Sequence, residues 1–199
     1  MTAQEIGERL ASLIEGASTS VSGGQTFARA VVDVPAERWA DALRAVRDDP
    51  ELSGDFFDWL SAVDEGAEGL ALVAHLWSTR RRHGLLVRTT TPVGSPVVDS
   101  VVTIYPGAAW HERETHEMFG FDFRGHPGGL RPLLLPPEFE GQPMRKDFVL
   151  ASRVVKTWPG AKEPGESEGG APSRRAPARP PGVPDPALWG PAARPAGES

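Results

Sequence analysis

Three runs constrain this chain most: "FFDWLSAVD" (56–64), "LALVAHLWS" (70–78) and "GLLVRTTT" (84–91). Each has strand length and is rich in aliphatic, β-branched or aromatic residues. The gaps between them, "DEGAEG" and "TRRRHG", are polar and contain glycine, as hairpin loops should be. A β-meander is therefore the expected centre of the fold, and the rest of the chain has to pack around it.

Upstream, Ile6, Leu10, Leu13 and Ile14 share one stripe and predict a helix over 3–15, with Thr2 as its cap and Gly16 at its end. "TFARAVVDV" (26–34) reads as a further strand. Pro35 then opens a helix whose apolar face is Trp39, Leu43 and Val46, and "DDP" (48–50) stops it. Downstream, 92–96 reads as a loop. Asp99 or Ser100 would cap a short helix, "VVTIY", interrupted by Pro106, and a longer helix spans about 107–119 and ends at Gly120. The expectation is an α+β fold over residues 1–125, with a small mixed or antiparallel sheet of about four strands and helices packed on it.

After Pro127 the chain becomes extended and proline-punctuated, "RPLLLPPEFEGQPMRKDF", and reads as an arm over 126–158 suited to lie on a partner. Residues 159–199 hold ten of the twenty prolines and no Ile or Phe, so they cannot bury enough apolar surface to offset the entropy of ordering. That tail is expected to be disordered. The net charge of −6 argues against nucleic acid as the main partner, because phosphate binding needs clustered Lys and Arg. Without a cysteine, the chain lacks thiolate ligands for zinc or iron–sulfur clusters. Its most apolar run, "GLALVAHLW", is far short of the roughly 20 residues that span a bilayer.

The chemistry-bearing stretch is "WHERETHEMFGFDFRGHP" (110–127), with His111, His116 and His126 among Glu112, Glu114 and Glu117. It admits three readings. As a metal site, His111 and His116 are five apart and so about 140° apart around a helix, the wrong geometry for a two-histidine face; Glu112, His116 and His126 are the set that could converge. As an acid/base centre, Glu114 and Glu117 are neighbours on one helical face, a pairing that can raise a carboxyl pKa. As an interaction surface, the charges cluster with Trp110, Phe119, Phe121 and Phe123, and the arm adds Arg131, Arg145, Lys146 and Asp147. Aromatics and arginine are enriched at interfaces. The residues favour this third reading.

In order along the chain come Glu112-Arg113-Glu114, then Glu117, Met118 and Phe119, then Gly120, Phe123, Gly125 and His126. Leu130, Arg131, Leu133 and Leu134 follow, and Pro143, Arg145, Lys146, Asp147 and Phe148 close the series. This tandem resembles the 30-kilodalton subunit family, also called the C-type subunits, of proton-translocating NADH–quinone oxidoreductase, respiratory complex I. "FFDWLSAVDE" (56–65) and "SVVTIYPGAAW" (100–110) resemble the family's sheet strand and the lead-in to its signature. The resemblance covers roughly 20–150 and excludes the tail. "HPGGLR" carries one residue more than the family's usual spacing, which a glycine-rich turn absorbs.

The resemblance implies a scaffold protein without a catalytic residue, flavin, iron–sulfur cluster or metal of its own; FMN, the clusters and quinone belong to partner subunits of the complex. It implies docking on the D-type subunit near the quinone site, with the B-type and I-type subunits nearby. It also implies a peripheral place on the cytoplasmic face of the bacterial plasma membrane, with membrane contact only through the complex. Related subunits in membrane-bound hydrogenase-type complexes give an alternative, and a stand-alone metal-dependent enzyme is a remote one. On this view Glu112, Arg113, Glu114 and Glu117 form buried or half-buried ion pairs, some with Arg131 or Arg145 and some with the D-type subunit, while His126 orients its turn.

Overall fold

A computed structural model describes residues 1–24 and 27–149. Helix α1 (Ala3–Leu13) starts where Thr2 and Glu5 cap each other, the Glu5 N–H donating to the Thr2 hydroxyl at 3.2 Å and the Thr2 N–H to the Glu5 carboxylate at 2.7 Å. Ile6, Leu10 and Ile14 are buried, but Leu13, the last residue of the helix, is 41% exposed. The chain turns at Gly16, whose φ of +78° suits glycine.

Strand β1 (Ser18–Ser22) follows, unannounced by the sequence. "STSVS" is almost wholly exposed at the sheet edge, so it has no buried face and no apolar alternation. It pairs antiparallel with β2 (Arg29–Asp33), which runs parallel to β5 (His83–Thr91). Between them in sequence lie a 3₁₀ turn (Ala36–Arg38), α2 (Trp39–Asp48), β3 (Phe56–Asp64) and β4 (Leu70–Ser78). The three expected strands form the antiparallel meander β3-β4-β5, and the sheet order is β1-β2-β5-β4-β3. The sheet is thus mixed, with five strands where about four were expected.

Ala30 and Val32 of β2, Leu85 and Val87 of β5, Leu70, Leu72, Ala74 and Leu76 of β4, and Leu60 and Ala62 of β3 point to one face. There they meet Ile6 and Leu10 of α1, Trp39, Leu43 and Val46 of α2, and the following loop and helix. The opposite face carries Trp59 and His75 with rings stacked at 6.1 Å, and the Asp33–Arg88 pair bridges β2 and β5 there.

The sequence misplaces one region. Val97–Asp99 forms β6, a short strand paired in parallel with β7 (Asp122–Arg124), and no helix follows Ser100. Residues 101–105 make a single turn, with the Ile104 and Tyr105 N–H groups donating to the Val101 carbonyl. Glu112 caps the first amide of this turn, the buried Tyr105 hydroxyl donates to the Gly54 carbonyl at 2.7 Å, and Pro106 ends the run. Helix α3 (Ala108–Phe119) comes next, and Gly120 at φ +81° terminates it, its N–H donating to the His116 carbonyl.

Residues Met1–Pro137 and Gln142–Lys146 form one compact unit. Glu138–Gly141 and Asp147–Val149 belong to a second, in which the Phe139 and Phe148 rings stack at 5.9 Å. The last part of the expected arm, 150–158, and the tail expected to be disordered, 159–199, lie outside the described residues.

Candidate functional site

Helix α3 has two working faces. Its inner face carries Glu112, which is 0% exposed. One carboxylate oxygen accepts the Ser100 hydroxyl and the other the Val101 N–H, both at 2.7 Å. Burial pushes this carboxyl above its usual range, against the pull of those bonds and of nearby His126. Glu112 is therefore a buried acceptor that fixes the loop after β6 to α3. On the same helix the His111 ring lies against the Leu60 peptide of edge strand β3, with Nδ1 3.2 Å from its carbonyl oxygen. His116 Nδ1 donates to the Phe121 carbonyl at 2.7 Å and so helps close the helix end.

The outer face carries Trp110, Arg113, Glu114 and Glu117, at the i, i+3, i+4, i+7 spacing that aligns residues on a helix. Arg113 lies over the Trp110 ring at 5.3 Å and donates through Nε and Nη2 to the carbonyls of Arg131 and Pro132, at 3.0 and 2.8 Å. Glu117 accepts three successive arm amides, those of Leu133, Leu134 and Leu135, at 3.0, 2.8 and 3.0 Å. Partial burial pushes the Glu117 carboxyl up, but the three N–H donors, helped by Arg113, outweigh it and hold the group below its usual range. Glu114 is exposed.

The expected ion pairs of these groups with Arg131 are replaced by backbone contacts: Arg131 serves Arg113 through its carbonyl. Glu117 is not the raised carboxyl that pairing with Glu114 was expected to give, since the arm amides occupy it. The turn after β7 is organised by His126, whose Nε2 donates to the Ala109 carbonyl while Nδ1 accepts the Gly128 N–H, both at 3.2 Å. Among the described residues no three His, Asp or Glu side chains are grouped to hold a metal ion.

Further along, the Met144 N–H donates to the Met118 carbonyl and the Arg145 N–H to the Gln142 carbonyl. The Lys146 N–H donates to Asp64 Oδ2 at 2.8 Å. Asp64, at the end of β3, also accepts the Gly66 N–H, and the Lys146 and Gly66 bonds, in that order, hold its carboxyl below the usual range. The sequence does not single out Asp64; its place before a glycine turn is the one hint. Asp147 belongs to the second unit. Around the meeting of helix and arm stand three large apolar side chains facing solvent, Trp110, Leu134 and Met144, at 62%, 60% and 59% exposure. Among the described residues no helix is long and apolar enough to cross a membrane.

The chain is similar to proteins of known assignment. Residues 32–154 match the family described as respiratory-chain NADH dehydrogenase, 30 kDa subunit. The C-type subunit of NADH-quinone oxidoreductase from Roseiflexus castenholzii is 42% identical over 126 residues, covering 62% of this chain and 72% of that protein. Its counterpart in Maricaulis maris is 35% identical over 157 residues, covering 77% and 76%. That of Salinispora tropica is 36% identical over 151 residues, covering 71% of this chain and 61% of a longer relative. Among solved structures, a chain of the membrane-bound sulfane sulfur reductase, an archaeal respiratory membrane complex, superposes with a TM-score of 0.56 at 27% identity, covering 67% of this chain and 77% of that one. A trypsin-resistant fragment of Nqo5 shares the fold at a TM-score of 0.54 and 22% identity, covering 64% and 98%. The tandem of motifs read from 112 to 148 and this fold agree, and the chain belongs to the 30-kilodalton subunit family of respiratory-chain NADH dehydrogenase, the C-type subunits of NADH–quinone oxidoreductase.

Proposed function

We propose that the chain is the non-catalytic scaffold of the 30-kilodalton, C-type position in a proton-translocating NADH–quinone oxidoreductase. On this reading it docks on the D-type subunit near the quinone site, with the B-type and I-type subunits adjacent, in the peripheral arm on the cytoplasmic face of the bacterial plasma membrane. FMN, iron–sulfur clusters and quinone are held by its partners, and this chain contributes shape. One observation carries the proposal. The signature residues Arg113 and Glu117 are engaged with backbone of the arm, and this region turns outward three large apolar or aromatic side chains, Trp110, Leu134 and Met144, beside the exposed charges of Glu114, Arg131 and Lys146. Such side chains are the kind that anchor protein interfaces.

A second reading keeps the scaffold role in a related membrane complex lacking the NADH-oxidising module. The likeness to a chain of the sulfane sulfur reductase complex favours it. Affinity purification of the tagged chain from gently solubilised host membranes tests both. Co-recovery of the D-type, B-type and I-type subunits together with a flavin-bearing one is the expected result. The same core without the flavin-bearing protein selects the second reading, and recovery of the chain alone overturns both.

A further inference from the structure

The arm has an unusual supply of donors. In "RPLLLPP" (131–137) prolines stand at 132, 136 and 137 and have no N–H, so the amides of Leu133, Leu134 and Leu135 are all the backbone donors between 132 and 137. All three converge on the single carboxylate of Glu117. The two carbonyls just before them, of Arg131 and Pro132, both go to Arg113, one helical turn away on the same face of α3. Backbone and helix are thus matched group for group across five residues of arm. Pro132 and Pro136 also bias their own φ and the conformation of the residues before them, which lowers the entropy lost on fastening the segment.

We propose that Arg113 and Glu117 are a strap that fastens residues 131–135 to α3 in the isolated chain, before any partner arrives. The proposal deepens the scaffold reading but does not depend on it, because it concerns the free protein. It has a consequence for recognition. Amides and carbonyls already taken by the strap cannot add as a β-strand to a partner's sheet. A partner reads this part of the arm through its side chains, with Leu134 outermost.

Hydrogen exchange on the purified full chain, followed on peptides covering 129–137, is the test. The wild-type amides of Leu133–Leu135 should be protected although they lie in no helix or strand. Glu117→Gln replaces one acceptor oxygen by an NH₂ and removes the charge, and exchange at these three amides should accelerate by ~10–100-fold. Protection in β4 and β5 should stay unchanged, which separates release of the strap from unfolding. Arg113→Ala should also accelerate exchange at 133–135 without touching their acceptor. Wild-type amides exchanging at the unprotected rate would overturn the strap, and so would an unchanged pattern in Glu117→Gln. Because no partner is present, neither result bears on whether the chain joins a quinone-linked complex.

Discussion

Replacing Glu112 separates two roles of one buried carboxyl. The side chain is 0% exposed, and so is Val101, whose N–H it accepts at 2.7 Å. Glu112→Ala leaves that amide buried without an acceptor, a loss of about 1–3 kcal/mol. It also removes one methylene and the carboxyl from a packed interior, adding about 1 kcal/mol. The Ser100 hydroxyl is only half-buried and can turn to water. The sum is about 2–4 kcal/mol, which for a domain of ~150 residues lowers Tm by roughly 4–16 °C. Glu112→Gln keeps an acceptor oxygen in the same shape and adds no charge to the interior, so its effect at neutral pH should stay within about 1 kcal/mol.

The pH dependence gives a second readout with a definite sign. Burial raises the Glu112 carboxyl, so the folded chain holds a proton where the unfolded chain has already released it at about pH 4.3. Across the window from there to the raised value the folded state binds more protons, and stability falls as pH rises. Glu112→Gln should abolish this contribution. Urea unfolding of the three proteins at several pH values measures both effects. If Glu112→Gln is as damaging as Glu112→Ala, or if Glu112→Ala is silent, the reasoning that makes Glu112 a buried acceptor fails.

Two other predictions follow from single contacts. Gly120→Ala places a Cβ in a left-handed position at φ +81° and within 3.2 Å of Gln142, so it should destabilise by about 1–2 kcal/mol and fray the end of α3, visible as faster exchange at the Gly120 amide that donates to His116. Tyr105→Phe deletes the hydroxyl that donates to the Gly54 carbonyl and should lower the unfolding free energy by about 1 kcal/mol in urea titration, with the spectrum of the folded chain otherwise retained.

How far the sequence could be read depended on whether a segment buries one face. The meander 56–91 and the helices at 3–13 and 39–48 were legible because buried residues recur within each element, Ile6 and Leu10, Trp39, Leu43 and Val46, Leu70, Leu72, Ala74 and Leu76, and Leu85 and Val87, and the helix at 108–119 because Pro106 and Gly120 bracket it. Strand β1 was not, because "STSVS" buries none of its residues fully, and β6 was not, because three residues are too short to show a period. In the candidate site the sequence singled out Arg113 and Glu117 and set them against the Arg131 side chain, whereas both reach the arm through its backbone. Arg113 and Glu117 stand near Arg131 in a chain of mixed charge, and side-chain identities alone suggest ion pairs. What decides the outcome is backbone supply, which composition does not display. A proline-bracketed segment cannot satisfy its amides in a ladder of its own, so an adjacent carboxylate is worth more to the fold as a shared acceptor for three N–H groups than as half of an exposed ion pair, whose net contribution is typically about 0–1 kcal/mol. The spacing of prolines around 133–135 was the overlooked signal, because it marks where orphan donors must find an acceptor on a neighbouring element.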